Sequence, residues 1–221
     1  GELAQEYTWL MPHLQHLQSV YKLMLAQREK RGAIEFETSE TIMMFNENGK
    51  IESIVPSHRN EAHKLIEECM LAANVCAAEF LLKHEHPALY RIHEGPTPEK
   101  LELLRTFMGE FGFGVGGGDK PHAKDYGKLL ARIKERPDAQ LLQTVLLRSM
   151  QQAVYSPDNV GHFGLAYEAY THFTSPIRRY PDLLIHRAIK AVLNGEKYKA
   201  GDWNQLGIQC SMTERRADDA T

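Results

Sequence analysis

The chain is poor in cysteine and tryptophan, holds no long apolar run, and carries no excess of positive charge. Its three cysteines, Cys69, Cys76 and Cys210, form no CxxC pair and are odd in number. Spacing therefore suggests neither a disulfide framework nor a thiolate zinc site, and a reducing, cytosolic compartment is the natural inference. Nothing approaches the ~20 apolar residues of a membrane span, and the N-terminus opens into an amphipathic pattern, not a signal peptide; no membrane partner is implied. Lys and Arg number 26 against 29 Asp and Glu, a net charge of -3. The polycationic signature of a nucleic-acid binder is missing, so any such contact has to come from a local patch or from protein outside this chain. HExxH, GxSxG and Cys-His signatures are absent, which leaves zinc hydrolysis and acyl-enzyme chemistry without support. A magnesium nuclease needs carboxylates that converge. The adjacent acidic pairs flanked by helical pattern, Glu67-Glu68 and Asp218-Asp219, point about 100° apart on a helix and make no metal cage unaided.

Present instead is an ordinary globular composition, 43% hydrophobic and 25% charged over 221 residues. Apolar residues at three-four spacing predict a helix over residues 3–31, with Pro12 as a kink or break. Residues 33–37 alternate and read as a strand. Two more short strands, 41–45 and 50–55, are joined by Asn46-Glu47-Asn48-Gly49, a hairpin turn. A long helix over 60–83 carries alanines along its buried side. A strand at 88–93 precedes Thr97-Pro98, a capped helix start running to about Phe111. Residues 112–118 hold five glycines but lead into no Gly-Lys-Ser/Thr helix start, so they read as a surface loop. Helices are predicted at 124–135, 138–155, 176–194 and beyond 202, with an extended segment over 163–170; Pro181 within the 176–194 helix implies a kink, or a helix that restarts one turn late. Long helices and few short strands predict an α+β class: a helix-rich mixed domain packed around a small, mostly antiparallel sheet, without an internal boundary.

The densest chemistry lies between His162 and His186, which holds three histidines, several aromatics and two adjacent arginines. Thr174-Ser175-Pro176 reads as a helix start, Ser175 capping and Pro176 at the first position, where a missing N–H is harmless. Arg178 and Arg179 then fall in the first turn, where free N–H groups and the dipole favour an anion. Two readings stand: a phosphate site, or a plain ion pair of Arg178 with Asp182 one turn on. Phe36, by its alternation, reads as a core residue. The alternative for it, and for Tyr90-Arg91-Ile92-His93, is ligand contact, since an aromatic stacked on a base contributes about 1–3 kcal/mol.

His162-Phe-Gly-Leu, Tyr170, Thr174-Ser-Pro-Ile-Arg-Arg-Tyr180, Asp182 and His186 together resemble the signature of the RNB family of exoribonucleases. Gly32 to Phe36, His63 to Met70 with Ala72-Ala-Asn74, Tyr90 to His93, Leu141-Gln-Thr with Leu147 to Met150, and Cys210 to Ala217 extend the resemblance along the chain, nearer the ribonuclease R branch than the ribonuclease II branch. The resemblance implies a processive 3′-to-5′ hydrolysis of single-stranded RNA to nucleoside 5′-monophosphates, dependent on magnesium. It implies Arg178 as the arginine that holds the scissile phosphate and stabilises its transition-state charge, Arg179 as a neighbouring phosphate contact, Phe36 as the aromatic stacked on the 3′-terminal base, and Glu67 as a carboxylate on the terminal ribose. Tyr90, Arg91, His93, Tyr170, Thr174 and Ser175 fall on the matching motifs and join them as substrate-binding candidates. The family's metal-binding aspartates, a second stacking aromatic, cold-shock-like domains and an S1 domain have no counterpart in these residues. The expectation is therefore the C-terminal part of an RNB catalytic domain, cut at both ends, with its magnesium ligands upstream and inactive alone. A catalytically dead RNB-like RNA-binding module is the alternative. A generic phosphate-binding helical domain is the third reading.

Overall fold

The computed structural model describes residues 5–35, 40–57 and 60–220. Two compact units emerge, one of residues 1–27 with 35–69, the other of residues 28–34 with 70–221. In the first, helix α1 (Met11–Arg31) begins its course. Pro12 marks a break, not a kink: residues 7–10 form a turn and the helix starts afresh at Met11, so Pro12 sits in the first turn, where its absent N–H has no partner to lose. Among the described residues of the predicted apolar stripe only Tyr21 is buried, while Tyr7 and Leu14 remain open to solvent. Strands β1 (Glu40–Phe45) and β2 (Ile51–Ser57) form the predicted antiparallel hairpin. Its turn is held by Asn46, whose side-chain oxygen accepts from Asn48 and Lys50 backbone N–H groups, and by Gly49 at φ 70°. The strand predicted at 33–37 is irregular over 33–35, and Phe36 lies outside the described residues.

Helix α2 (Glu61–Lys83) begins in the first unit. Asn60 caps it, accepting from His63 N–H at 3.0 Å while its own N–H donates to the His63 ring at 3.3 Å. In the second unit, β3 (Tyr90–Ile92) pairs antiparallel with β4 (Val154–Ser156). Helices α3 (Pro98–Glu110), α4 (Ala123–Ile133) and α5 (Ala139–Ser149) bury Leu104, Met108, Tyr126, Ile133, Leu142 and Leu146. Thr97 caps α3 as predicted, accepting from Lys100 N–H. The helix predicted over 138–155 ends at Ser149, and Val154–Ser156 is strand instead, because pairing with β3 supplies backbone partners that no local pattern announces. Helix α6 (Tyr180–Leu193) and helix α7 (Trp203–Asp218), the latter capped by Asp202, complete the unit.

Two apolar clusters hold β3 in place. Ala77, Ala78 and Leu81 of α2 meet Ala88, Tyr90 and, from α6, Ile185 and Ala188. Leu89, Tyr155, Leu184 and Cys210 form the other, with Trp203 and Leu206 against them. Gly207 lets α7 approach β4 closely: a Cβ there would stand 2.7 Å from the Tyr155 carbonyl oxygen. The observed α+β architecture, helices with two small antiparallel sheets, is the predicted class. Among the described residues no helix is long and apolar enough to cross a membrane.

Candidate nucleic-acid interface

The His162–His186 stretch is laced onto β3 on the side away from β4. Arg91 N–H donates to the Tyr170 carbonyl at 2.8 Å, His93 N–H to Gly161, and Phe163 N–H to the His93 carbonyl at 2.7 Å. Of the segment predicted as extended over 163–170, residues 163–167 instead form with His162 a tight loop in which His162 and Tyr167 pair across the neck and Ala166 takes φ 53°. Gly164 has to be glycine-like in size, since a Cβ would lie 3.0 Å from His93 Nδ1. That same Nδ1 accepts from Gly164 N–H at 3.0 Å, so Nε2 carries the proton and donates to the Gln151 carbonyl at 2.9 Å. Helix α2 fastens the far end. Asn74, 4% exposed, donates to the Tyr170 hydroxyl at 2.9 Å and accepts from Phe173 N–H at 2.9 Å.

The three histidines of the stretch are structural in their bonding. His162 Nδ1 accepts from Leu165 N–H, His172 Nδ1 accepts from the Tyr155 hydroxyl at 2.7 Å, and His186 Nε2 reaches the Phe173 carbonyl while its ring stacks on Phe173 at 4.1 Å. Burial first, then His93 and Arg91, pushes His162 down to about 3. Burial first, then Arg179 and Arg91, does the same to His172. Both rings are neutral at physiological pH, so the site's positive charge belongs to arginines.

Two of the three arginines are matched by carboxylates. Arg91 donates to Glu214 at 2.6 Å and lies over the Tyr155 ring. Arg179 donates to Asp182 Oδ1 at 2.8 Å. Arg178 is exposed and makes no side-chain hydrogen bond or ion pair among the described residues. The predicted ion pair of Arg178 with Asp182 is thus not formed; Arg179 takes that carboxylate. The reason is the helix start. Residues 176–178 form a turn, and α6 begins at Tyr180 with Pro181 in its first turn, the late restart that Pro181 implied and not the start at Ser175-Pro176. The phase change brings Arg179, not Arg178, alongside Asp182.

Of the other sequence-derived candidates, Tyr90 is 4% exposed and Tyr170 6%, both core rings, and His93 is buried behind the loop it orders. Thr174 and Ser175 are half-buried at the edge of the turn, and Ser175 contributes its backbone. Glu67 is half-buried on α2 in the first unit. Sequence reasoning passed over Asn74, Tyr155, Asp182 and Glu214 as working parts. Asn74 and Glu214 stood inside matching motifs without a role, and Asp182 was considered only as a partner for Arg178. Among the described residues no three His, Cys, Asp or Glu side chains converge as a metal site requires. The described residues therefore do not fit magnesium, and no chemical step is assigned to it. What the arrangement can do is bind an anion at a guanidinium projected from a rigid turn.

The residue pattern of the RNB domain matches positions 2–195. The chain belongs to the RNB family. Ribonuclease R of Vibrio cholerae is 53% identical over the whole of this chain, which spans 28% of that protein's length. The solved structure of Mycoplasma genitalium RNase R in complex with ribose methylated single-stranded RNA superimposes with a TM-score of 0.88, covering 95% of this chain and 34% of that one at 27% identity. Yeast Ssd1, described as a pseudonuclease, matches at 0.59 and 29% identity over 69% of this RNB chain and 19% of its own.

Proposed function

We propose that this chain is the C-terminal part of the RNB catalytic domain of a processive 3′-to-5′ exoribonuclease of the ribonuclease R kind, acting in the cytoplasm on the 3′ end of single-stranded RNA and releasing nucleoside 5′-monophosphates. The observation that carries the reading is Arg178, exposed and unpaired among the described residues, between arginines whose charges are already met. A phosphodiester passing to its transition state gathers negative charge on its non-bridging oxygens, and a guanidinium fixed beside them stabilises that state more than the ground state. Phe36 is proposed to stack on the terminal base and Glu67 to contact its ribose. Carboxylates outside these 221 residues would hold the magnesium, and cold-shock-like and S1 domains of the same polypeptide would complete the RNA path.

The test uses the full-length protein with 5′-labelled single-stranded RNA and magnesium. Wild type should shorten the RNA one nucleotide at a time, and Arg178→Ala should lower kcat by about 10²–10³-fold while RNA affinity changes little. Equal losses in binding and turnover would remove Arg178 from the chemistry. The 221-residue chain alone should release no mononucleotide. The likeness to a pseudonuclease supports a second reading, an RNA-binding module without turnover. Full-length protein that binds RNA and never shortens it would establish that one.

A further inference from the structure

Asp182 is completely buried, yet it belongs to no part of the phosphate-binding role. Its Oδ1 accepts twice, from Ser175 N–H at 2.7 Å and from Arg179 Nη2 at 2.8 Å. The Ser175 carbonyl in turn accepts from both arginine backbones, Arg178 N–H at 3.2 Å and Arg179 N–H at 3.0 Å. One carboxylate oxygen therefore ties down both ends of the turn that begins at Ser175 and closes at Arg179. The residues between the ties are thrown outward: Ile177 is 98% exposed and Arg178 is exposed beside it. A buried charge tolerates this position because Arg179 neutralises it, and helix α6 adds its first turn, where a carboxylate at the third residue faces free N–H groups.

We propose that Asp182 and Arg179 form a positioning latch that sets the direction of Arg178, so that the two adjacent arginines have different jobs. Arg179 is spent inside the protein, and Arg178 alone of the pair faces the phosphate. This assigns Arg179 a role other than the phosphate contact that resemblance to the family implied. The latch has a loose side. Asp182 Oδ2 and Arg179 Nε are buried and have no hydrogen-bond partner in the structure. The pair thus meets through a single Nη2–Oδ1 bond, not the two-pronged geometry both groups could adopt. The orientation of the turn rests on Oδ1, and an asparagine keeps an oxygen there but not the charge that holds Arg179.

The inference rests on Arg178 acting at the phosphate, and the experiment separates the two claims. In the full-length protein, single-turnover RNA cleavage, RNA affinity and thermal unfolding are measured for wild type, Arg178→Ala, Asp182→Asn and the double variant. A latch that works through Arg178 predicts that Asp182→Asn slows cleavage about 10–100-fold with RNA affinity changed less than about threefold, and that the double variant is no slower than Arg178→Ala. Asp182→Glu, whose extra methylene misplaces the oxygen, should recover only part of the rate. Losses that multiply in the double variant would overturn the latch, as would an Asp182→Asn rate equal to wild type. Should Asp182→Asn fail to fold, Arg179→Lys enters the same cycle, keeping the charge and losing the planar fork, with the same masking by Arg178→Ala expected. If Arg178→Ala cleaves as fast as wild type, the phosphate role fails, and the latch is withdrawn with it. Wild type that never cleaves overturns the nuclease reading and with it this role for Asp182.

Discussion

Acid should unfold the second unit well before its carboxylates titrate, because two neutral histidines are built into it. His162 and His172 both titrate near 3 in the folded state, held there chiefly by burial, against an ordinary value of 6.5. Below 6.5 the unfolded chain binds protons that the folded chain refuses, so the contribution is complete above that value and drains away as pH falls toward 3. From pH 7.5 to 5.0 the unfolded imidazole gains roughly 1.5 logarithmic units of proton binding that the folded ring lacks, about 2 kcal/mol for each residue. The pair together approaches about 4 kcal/mol, a large share of the ~5–15 kcal/mol that stabilises a domain. Tryptophan fluorescence can report this unit alone, since the chain's two tryptophans are Trp9 and Trp203 and only the second lies in it. In a Trp9→Phe background, the urea midpoint followed at Trp203 should fall by roughly 2 M between pH 7.5 and 5.0. His172→Asn keeps an acceptor for the Tyr155 hydroxyl and removes one titrating group, so it should reduce the slope by less than half, because burial also lowers the His93 ring and leaves its share in place. A midpoint flat across this range, or a slope untouched by His172→Asn, would refute the assignment of both rings as buried and neutral.

Two further substitutions probe how the site is held. Asn74→Ala strands the Tyr170 hydroxyl and Phe173 N–H in the interior, and should destabilise the second unit by about 2–4 kcal/mol in urea unfolding. Gly207→Ala should raise helix propensity by about 1 kcal/mol yet lower net stability by about 1–3 kcal/mol, because the new methyl meets the Tyr155 carbonyl; a stabilised variant would show that α7 can shift without loss.

Local chemistry was legible where it is self-sufficient. Asn46 to Gly49 turns a hairpin with its own side chain and its own positive φ, and Thr97-Pro98 starts a helix with its own hydroxyl. It failed where a distant partner decides. Val154 to Ser156 looks like the tail of a helix until β3 is placed beside it. The start of α6 was decided between two prolines, Pro176 and Pro181, each acceptable at a helix start by itself. Asp182, buried and bonded back to Ser175, accompanies the later choice. That choice also determined which arginine was left free, so resemblance could mark Arg178 while spacing offered it the wrong neighbour. The unit that carries Glu67 and the unit that carries Arg178 were not distinguishable by composition.

The Arg91–Glu214 pair spans 123 residues of sequence, and the Asn74–Tyr170 bond spans 96. The ties that seat the stretch on α2 close loops of this length, Asn74 to Tyr170 and Asn74 to Phe173, and the chain entropy of each closure has to be met before the contact returns anything. Helices α3, α4 and α5 can assemble from neighbours, and the turn that presents Arg178 closes over residues 175–182, but the strand-like stretch leading into it is seated by partners far away in sequence, on β3 and α2.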